Sequence, residues 1–187
     1  MARKHRAEIL QELQTLQPRT ALPGEADLRA ALKGVKVVDL CIVLAGPTCG
    51  RTLAEFGADV VKIDSPHTKT VLRHNDINRA KRSLLVDLKT KEGLDIFWRL
   101  VDKADVVLQN FRAGVAERLG IGYETLRAVR PDVVMISMPL YGQTGPWANY
   151  KAFGMTLEPT TGQSHFNGYL DGQPMRSTIA YTDTPVA

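Results

Sequence analysis

The sequence predicts an α/β chain built on an open, parallel, Rossmann-like sheet. Three observations predict it. Short runs of β-branched and aliphatic residues recur along the chain, helical patterns lie between them, and Gly, Pro and Thr punctuate the junctions. The 187 residues suffice for one mid-sized domain with a packed core.

Residues 1–31 stand apart from the rest. Ile9, Leu10, Leu13 and Leu16 recur at helical spacing, which predicts a helix over 5–17 ended by Pro18. Pro23 and Gly24 mark a loop. The segment 1–31 is therefore expected to be a helical arm or linker preceding a unit over 32–187. In that unit, 35–41 is mostly β-branched or apolar and reads as a buried parallel strand. A turn-rich segment comes next over 45–50, then a helix over 52–56 that Gly57 stops. Residues 59–64 read as the second strand, and the polar, basic stretch 65–80 as a loop. The third strand is 83–87. Thr90 opens a helix with Leu94, Phe97, Leu100 and Val101 on one face. A fourth strand over 105–109, helical pieces over 117–119 and 123–129, and a fifth strand over 133–138 complete the alternation. Beyond Pro139 the chain is rich in Gly, Pro and Thr, and no periodicity assigns its elements.

Composition narrows the function. Hydrophobic residues at 44% and charged residues at 24% exclude collagen-like, disordered and disulfide-scaffold classes. Apolar runs such as 40–45 fall far short of the ~20 residues of a membrane span. No apolar signal region comes after the basic residues 1–6. Cys41 and Cys49 read as reduced thiols, so a cytoplasmic location is expected. The net charge of +4 suits a small anionic ligand. Aromatics make up 6% and are not interleaved with basic residues, so nucleic acid is not an expected partner.

The first strand-to-helix turn lacks both Gly-x-Gly-x-x-Gly and the Walker pattern, which removes most support for an ordinary NAD or ATP site. Ala45, Gly46 and Pro47 leave a generic crevice there. Positive charge gathers at Lys62, Lys69, Arg73, Arg79, Lys81, Arg82, Lys89 and Lys91. Such a cluster holds an anionic ligand or forms a solvated basic face. His5, His67, His74 and His165 are scattered and make no metal-ligand spacing with the cysteines, so no metal is expected. A Gly-x-Ser-x-Gly elbow is also missing. Asp183, set among small and apolar residues over 180–185, reads as a partly desolvated carboxylate able to act as a nucleophile. The same pattern also fits a turn or a helix cap.

Taken in order, several segments carry a family resemblance. They are 32–40 (LKGVKVVDL), 45–47 (AGP), 53–64 (LAEFGADVVKID), 81–84 (KRSL), 87–89 (DLK), 104–107 (ADVV), 109–112 (QNFR), 118–120 (RLG), 161–162 (TG), 168–174 (GYLDGQP) and 180–183 (AYTD). The set resembles the family III coenzyme A transferases, the CaiB/BaiF group that includes formyl-CoA and carnitine CoA-transferases, over residues 32–187. The resemblance implies part of a Rossmann-like large domain that binds CoA at strand ends. It implies Asp183 as the nucleophile that attacks an acyl-CoA thioester, forming first an aspartyl-acyl anhydride and then an aspartyl-CoA thioester. It places CoA contacts at Val43, Ala45, Val86, Leu88, Lys89, Asn110, Phe111, Arg118 and Leu119. CoA or acyl-CoA would be a substrate rather than a permanent cofactor, with a carboxylic acid as acceptor.

Two positions depart from the pattern. Some members have a polar residue at Leu44 and an Arg at Ser65. Racemases of the superfamily carry a His-Asp pair where this chain has Phe153, Gly154, Met155 and Thr156, which favours transfer over racemisation. Members of the family are longer and form interlocked homodimers, whereas this chain stops at Ala187. The expectation is an N-terminal portion with little transferase activity by itself. The alternatives are a catalytically incomplete CoA-binding or interaction fragment, and a plain nucleotide-binding Rossmann domain.

Overall fold

The β-branched runs form the strands of one sheet in the computed structural model, which describes residues 30–67, 74–177 and Asp183. The strands are β1 (Lys36–Asp39), β2 (Asp59–Asp64), β3 (Arg82–Leu85), β4 (Val106–Gln109) and β5 (Val134–Ser137). All pair in parallel, in the order β3-β2-β1-β4-β5. Val38 of β1 lies opposite Val61 of β2 on one side and Val107 of β4 on the other. The α/β class and the parallel sheet agree with expectation. The helical arm expected over 1–31 falls almost entirely outside the described residues.

Adjacent residues on each strand point to opposite faces, so two apolar layers form. One contains Val38, Ile63, Val107, Phe97, Val101, Ala116 and Leu126. It is covered by α3 (Lys91–Val101), α4 (Val115–Arg118) and α5 (Tyr123–Val129). The other contains Val37, Val60, Leu108 and Ala54, the last from α1 (Ala45–Glu55). A sheet buried on both faces explains why its strands read as apolar runs rather than as alternating patterns. Thr90 caps α3 as expected, its Oγ1 accepting from the Gly93 N–H at 3.1 Å.

Three local readings are corrected. The helix expected over 52–56 begins at Ala45, so the segment expected to be a turn is helical. Pro47 sits in the first turn, where its missing N–H removes no intrahelical bond, and is no breaker there. The loop expected over 65–80 contains a helical turn, α2 (His74–Ile77), whose Ile77 is buried. The unassigned region after Pro139 contains α6 (Gly154–Thr160) and α7 (Gln163–Phe166). Large apolar side chains stay exposed there, among them Phe153, Phe166, Tyr169 and Leu170.

The basic cluster does not form one ligand-facing surface. Lys62 is buried and pairs with Asp64 at 2.8 Å. Lys81 pairs with Asp39 at 2.7 Å, both side chains being out of solvent. Arg82 grips Asp59 through two bonds of 2.9 and 2.6 Å, and Arg79 reaches Glu55 at 3.1 Å. Sequence cannot distinguish such internally neutralised cations from free ones. Lys69 and Arg73 lie outside the described residues.

Candidate functional site

In the strand order, β1 and β4 are neighbours although β2 and β3 intervene in the chain. Chain connections leave the C-terminal ends of β1 and β4 toward opposite faces, and a crevice opens between them. A cleft of about 550 Å³ occupies this position. Residues 42–45, after β1, form one wall, and Asn110, Phe111 and Arg112, after β4, form another. Val115, Met138 and Leu140, residues 151–154 and Asp183 complete the lining.

The two strand-end loops are tied by one side chain. Asn110 Oδ1 accepts from the Ile42 N–H at 2.8 Å, and Asn110 Nδ2 donates to the Ile42 carbonyl at 2.6 Å. Val43 takes φ +70°. For a β-branched residue that left-handed backbone is strained by about 1–3 kcal/mol. The turn lets the chain enter α1 directly across the sheet's C-terminal edge. Gly46 permits the close approach of the backbone just beyond it. A Cβ there would fall on the Cys41 side chain and lie 3.2 Å from Asn110 Cγ.

A buried ion pair supports the same turn from below. Asp39 Oδ1 accepts from the Cys41 N–H at 2.8 Å, while Asp39 Oδ2 accepts from Lys81 Nζ at 2.7 Å. Lys81 Nζ also donates to the Pro47 carbonyl at 2.7 Å and to Asn78 Oδ1 at 3.2 Å. One ammonium thus joins the end of β1, the first turn of α1 and the approach to β3. The thiol of Cys41 is pushed well above its ordinary value, chiefly by burial and then by Asp39. Burial likewise raises the half-buried Cys49 thiol, so both sulfurs remain protonated near neutrality.

Asp183 meets the cleft from the far end of the chain. Gly154, at the start of α6, borders it so closely that a Cβ would overlap the carboxylate. Burial pushes the Asp183 carboxyl above its ordinary value, and the charge of Glu158 adds to the shift. Glu158, fully buried one turn along α6, accepts from Ser177 Oγ at 2.5 Å and from the Ser177 N–H at 3.2 Å. A carboxylate half out of water beside an apolar wall keeps its basicity and loses some of its hydration. Both changes suit a nucleophile.

Of the residues singled out in the sequence, Val43, Ala45, Asn110, Phe111 and Asp183 converge on this cleft. Leu44, where the family pattern is broken, lines it too. Val86, Leu88, Lys89, Arg118 and Leu119 are not in its lining. Val86 is buried, and Leu88, Leu119 and Phe111 pack against the same apolar layer, so Phe111 links the two groups. The Lys89 N–H donates to Asp87 Oδ1 at 3.0 Å, and His67 Nε2 lies 2.9 Å from Asp87 Oδ2. The Lys89 backbone bond and then the His67 contact hold the Asp87 carboxyl below its ordinary value. Arg118 is exposed, its Nη1 3.0 Å from where a Cβ of Gly114 would lie. Sequence reasoning missed Arg112, Lys151 and Glu158 and met Gly154 only in the comparison with racemases. Arg112 sat inside a matched segment, and Lys151 and Glu158 carried no local signal. Among the described residues no group of three or more His, Cys, Asp or Glu side chains is placed to hold a metal ion. No helix among them is long and apolar enough to cross a membrane.

The profile described as CoA-transferase family III matches residues 32–187. A succinate–glutarate CoA-transferase of Agrobacterium fabrum is 36% identical over 171 residues, covering 81% of this chain and 43% of that protein. A succinyl-CoA–D-citramalate CoA-transferase of Chloroflexus aurantiacus is 37% identical over 169 residues, covering 83% and 42%. A CaiB/BaiF family protein of Brucella suis superposes with a TM-score of 0.77 at 34% identity, covering 83% of this chain and 45% of that one. The chain therefore spans less than half the length of the relatives it matches. Within that span, sequence and fold agree, and the chain belongs to CoA-transferase family III.

Proposed function

We propose that this chain is the CoA-binding, nucleophile-bearing portion of an acyl-CoA:carboxylate CoA-transferase, with Asp183 as the nucleophile. The observation that carries the reading is the meeting of Asp183 with the β1/β4 crevice in one cleft. Val43, Ala45, Asn110 and Phe111 form the wall for the pantetheine arm of CoA. In this reading Val86, Leu88 and Lys89, which follow β3, and Arg118 and Leu119, at the end of α4, frame the nucleotide end, with Lys89 and Arg118 supplying charge for phosphates.

The chemistry then runs in four balanced steps. The Asp183 carboxylate attacks the thioester carbonyl, a C–O bond forms, and the C–S bond breaks to release CoA thiolate and leave a mixed anhydride. The thiolate attacks the Asp183 carbonyl, giving aspartyl-CoA thioester and releasing the first acid. A second carboxylate attacks that thioester, expelling thiolate and forming a new anhydride. The thiolate takes the new acyl group and frees Asp183. Each half uses one acyl activation to drive the next, so no other energy source is needed. Among the described residues lining the cleft there is no His, and a proton-shuttling racemase would want such a base.

The test is trapping. The chain is incubated with acyl-CoA, and the products are digested and weighed by mass spectrometry. An acyl or CoA adduct on the peptide containing Asp183 is expected. Asp183→Ala should lose the adduct and keep CoA binding within about twofold. An adduct that persists in the Asp183→Ala chain would refute the assignment. CoA binding without any adduct in the wild-type chain would favour the CoA-binding fragment instead.

A further inference from the structure

Gly154 opens α6 without a side chain, and Asp183 takes the vacant place. All three atoms of the Asp183 carboxyl group lie within 2.6 Å of where a Cβ on Gly154 would be. On a helix, side chains four residues apart share a face, with Cβ atoms about 5–6 Å apart, and each leans toward the helix N-terminus. The residue four positions on is Glu158, whose side chain is fully buried. Asp183 and Glu158 therefore stand as an i, i+4 carboxylate pair on α6, although Asp183 comes from outside the helix.

Ser177 holds Glu158 in this position. Glu158 Oε1 accepts from Ser177 Oγ at 2.5 Å, and Oε2 accepts from the Ser177 N–H at 3.2 Å. Ser177 belongs to the segment that leads to Asp183. One buried side chain thus joins α6 to the approach of the nucleophile and sets a like charge beside it. We propose that Glu158 is a positioning residue for acyl transfer, a fixed like charge that favours the neutral, acylated form of Asp183 over the ionised form. This rests on the transferase reading.

The charge balance gives the mechanism. When the Asp183 carboxylate forms its C–O bond to the thioester carbonyl and the C–S bond breaks, the negative charge leaves on the CoA sulfur. The repulsion between Asp183 and Glu158 ends in the same step. An interaction that is unfavourable in the ground state and relieved on the way to the product lowers the barrier between them. Arg112 and Lys151 are the other charged side chains on the described lining. Both are exposed, so water and salt screen them, whereas Glu158 is out of solvent. The rise of the Asp183 carboxyl, from burial first and Glu158 second, agrees with this placement.

The experiment compares the wild-type chain with Glu158→Gln. Glutamine keeps the length of the side chain and can still meet Ser177, its oxygen accepting from the N–H and its amide donating to Oγ. The titration of the Asp183 carboxyl is followed by carbon-13 NMR, with Asp183→Asn identifying the signal. The Asp183 adduct is timed by mass spectrometry after mixing with succinyl-CoA. The variant should titrate closer to the ordinary 3.8 than the wild type does, and acylate about tenfold more slowly at pH 7, with CoA affinity unchanged. The rate difference should narrow as pH falls through the wild-type midpoint, because more of the variant's Asp183 is then ionised. A purely structural loss would not change with pH in this way. If Glu158→Gln does not fold, the double variant Glu158→Met/Ser177→Ala, which removes the charge and its hydroxyl partner together, should give the same shift in titration. An unchanged Asp183 titration, or a variant that acylates as fast as the wild type, overturns the proposal and leaves the transferase reading standing. A wild-type chain that forms no adduct removes the transferase reading itself, and the proposal with it.

Discussion

Replacing Lys81 by Met would remove the ammonium that ties β1 to α1 without changing the length of the side chain much. Both partners of the Lys81–Asp39 pair are out of solvent, with side chains 1% and 0% exposed. Three acceptors lose a bond: Asp39 Oδ2, the Pro47 carbonyl and Asn78 Oδ1. Breaking a buried pair from one side costs about 3–5 kcal/mol, because the remaining charge stays buried and uncompensated. That is a large share of the ~5–15 kcal/mol that holds a domain folded. At roughly 2–4 °C per kcal/mol for a chain this size, the melting temperature should fall by about 6–20 °C. Urea unfolding monitored by circular dichroism measures the loss. The Asp39→Asn/Lys81→Met double variant keeps an acceptor for the Cys41 N–H and removes the stranded charge, so it should recover more than about 1 kcal/mol. A Lys81→Met loss below about 1 kcal/mol, or a double variant no better than the single, would show that the pair does not support the turn.

The cleft sets three further outcomes. Asn110→Ala removes both bonds to Ile42 and frees the two strand-end loops; CoA affinity measured by calorimetry should weaken about tenfold, with a stability loss of about 1–3 kcal/mol. Gly154→Ala drives a Cβ into the Asp183 carboxylate, so the adduct at Asp183 should disappear while circular dichroism stays near wild type. Asp183→Asn should raise the melting temperature at pH 7 by about 1–3 °C. The sign comes from the raised carboxyl: ionisation is disfavoured in the fold, so stability falls as pH rises from the ordinary 3.8 through the folded value. The gain in the Asn variant should therefore vanish at pH 3, where wild-type Asp183 is protonated in both states. A gain that is equally large at pH 3 would assign the shift to something other than charge.

The site was legible in pieces. Asp183, Ala45, Asn110 and Phe111 lay in matched segments, and Val43 was given by the family resemblance alone. Lys151 was not marked, because nothing in its local sequence distinguishes a residue that lines a cleft shared with a distant aspartate, and Gly154 entered only through the comparison with racemases. The basic residues misled for the reverse reason. Lys62 and Lys81 look like ligand-binding cations in composition, and only packing shows that each is occupied by a carboxylate. Helix α1 starts seven residues before its expected position because 45–50 reads as turn-rich, although a first turn tolerates Gly46 and Pro47.

Local chemistry settled the kinds of element and their succession. β-branched runs favour strands, Thr90 caps the helix after it, and the order of segments carries the family resemblance. Strand order lay beyond that reach. Whether β1 pairs with β4 depends on how crossovers and apolar layers fit over the whole sheet, and no window of residues encodes it. That pairing brings Asn110 to Ile42 across 68 positions of sequence, opens the crevice, and gives Asp183 a wall to face. Local side-chain preferences determine the kinds of element; burial of two sheet faces at once determines where their ends meet.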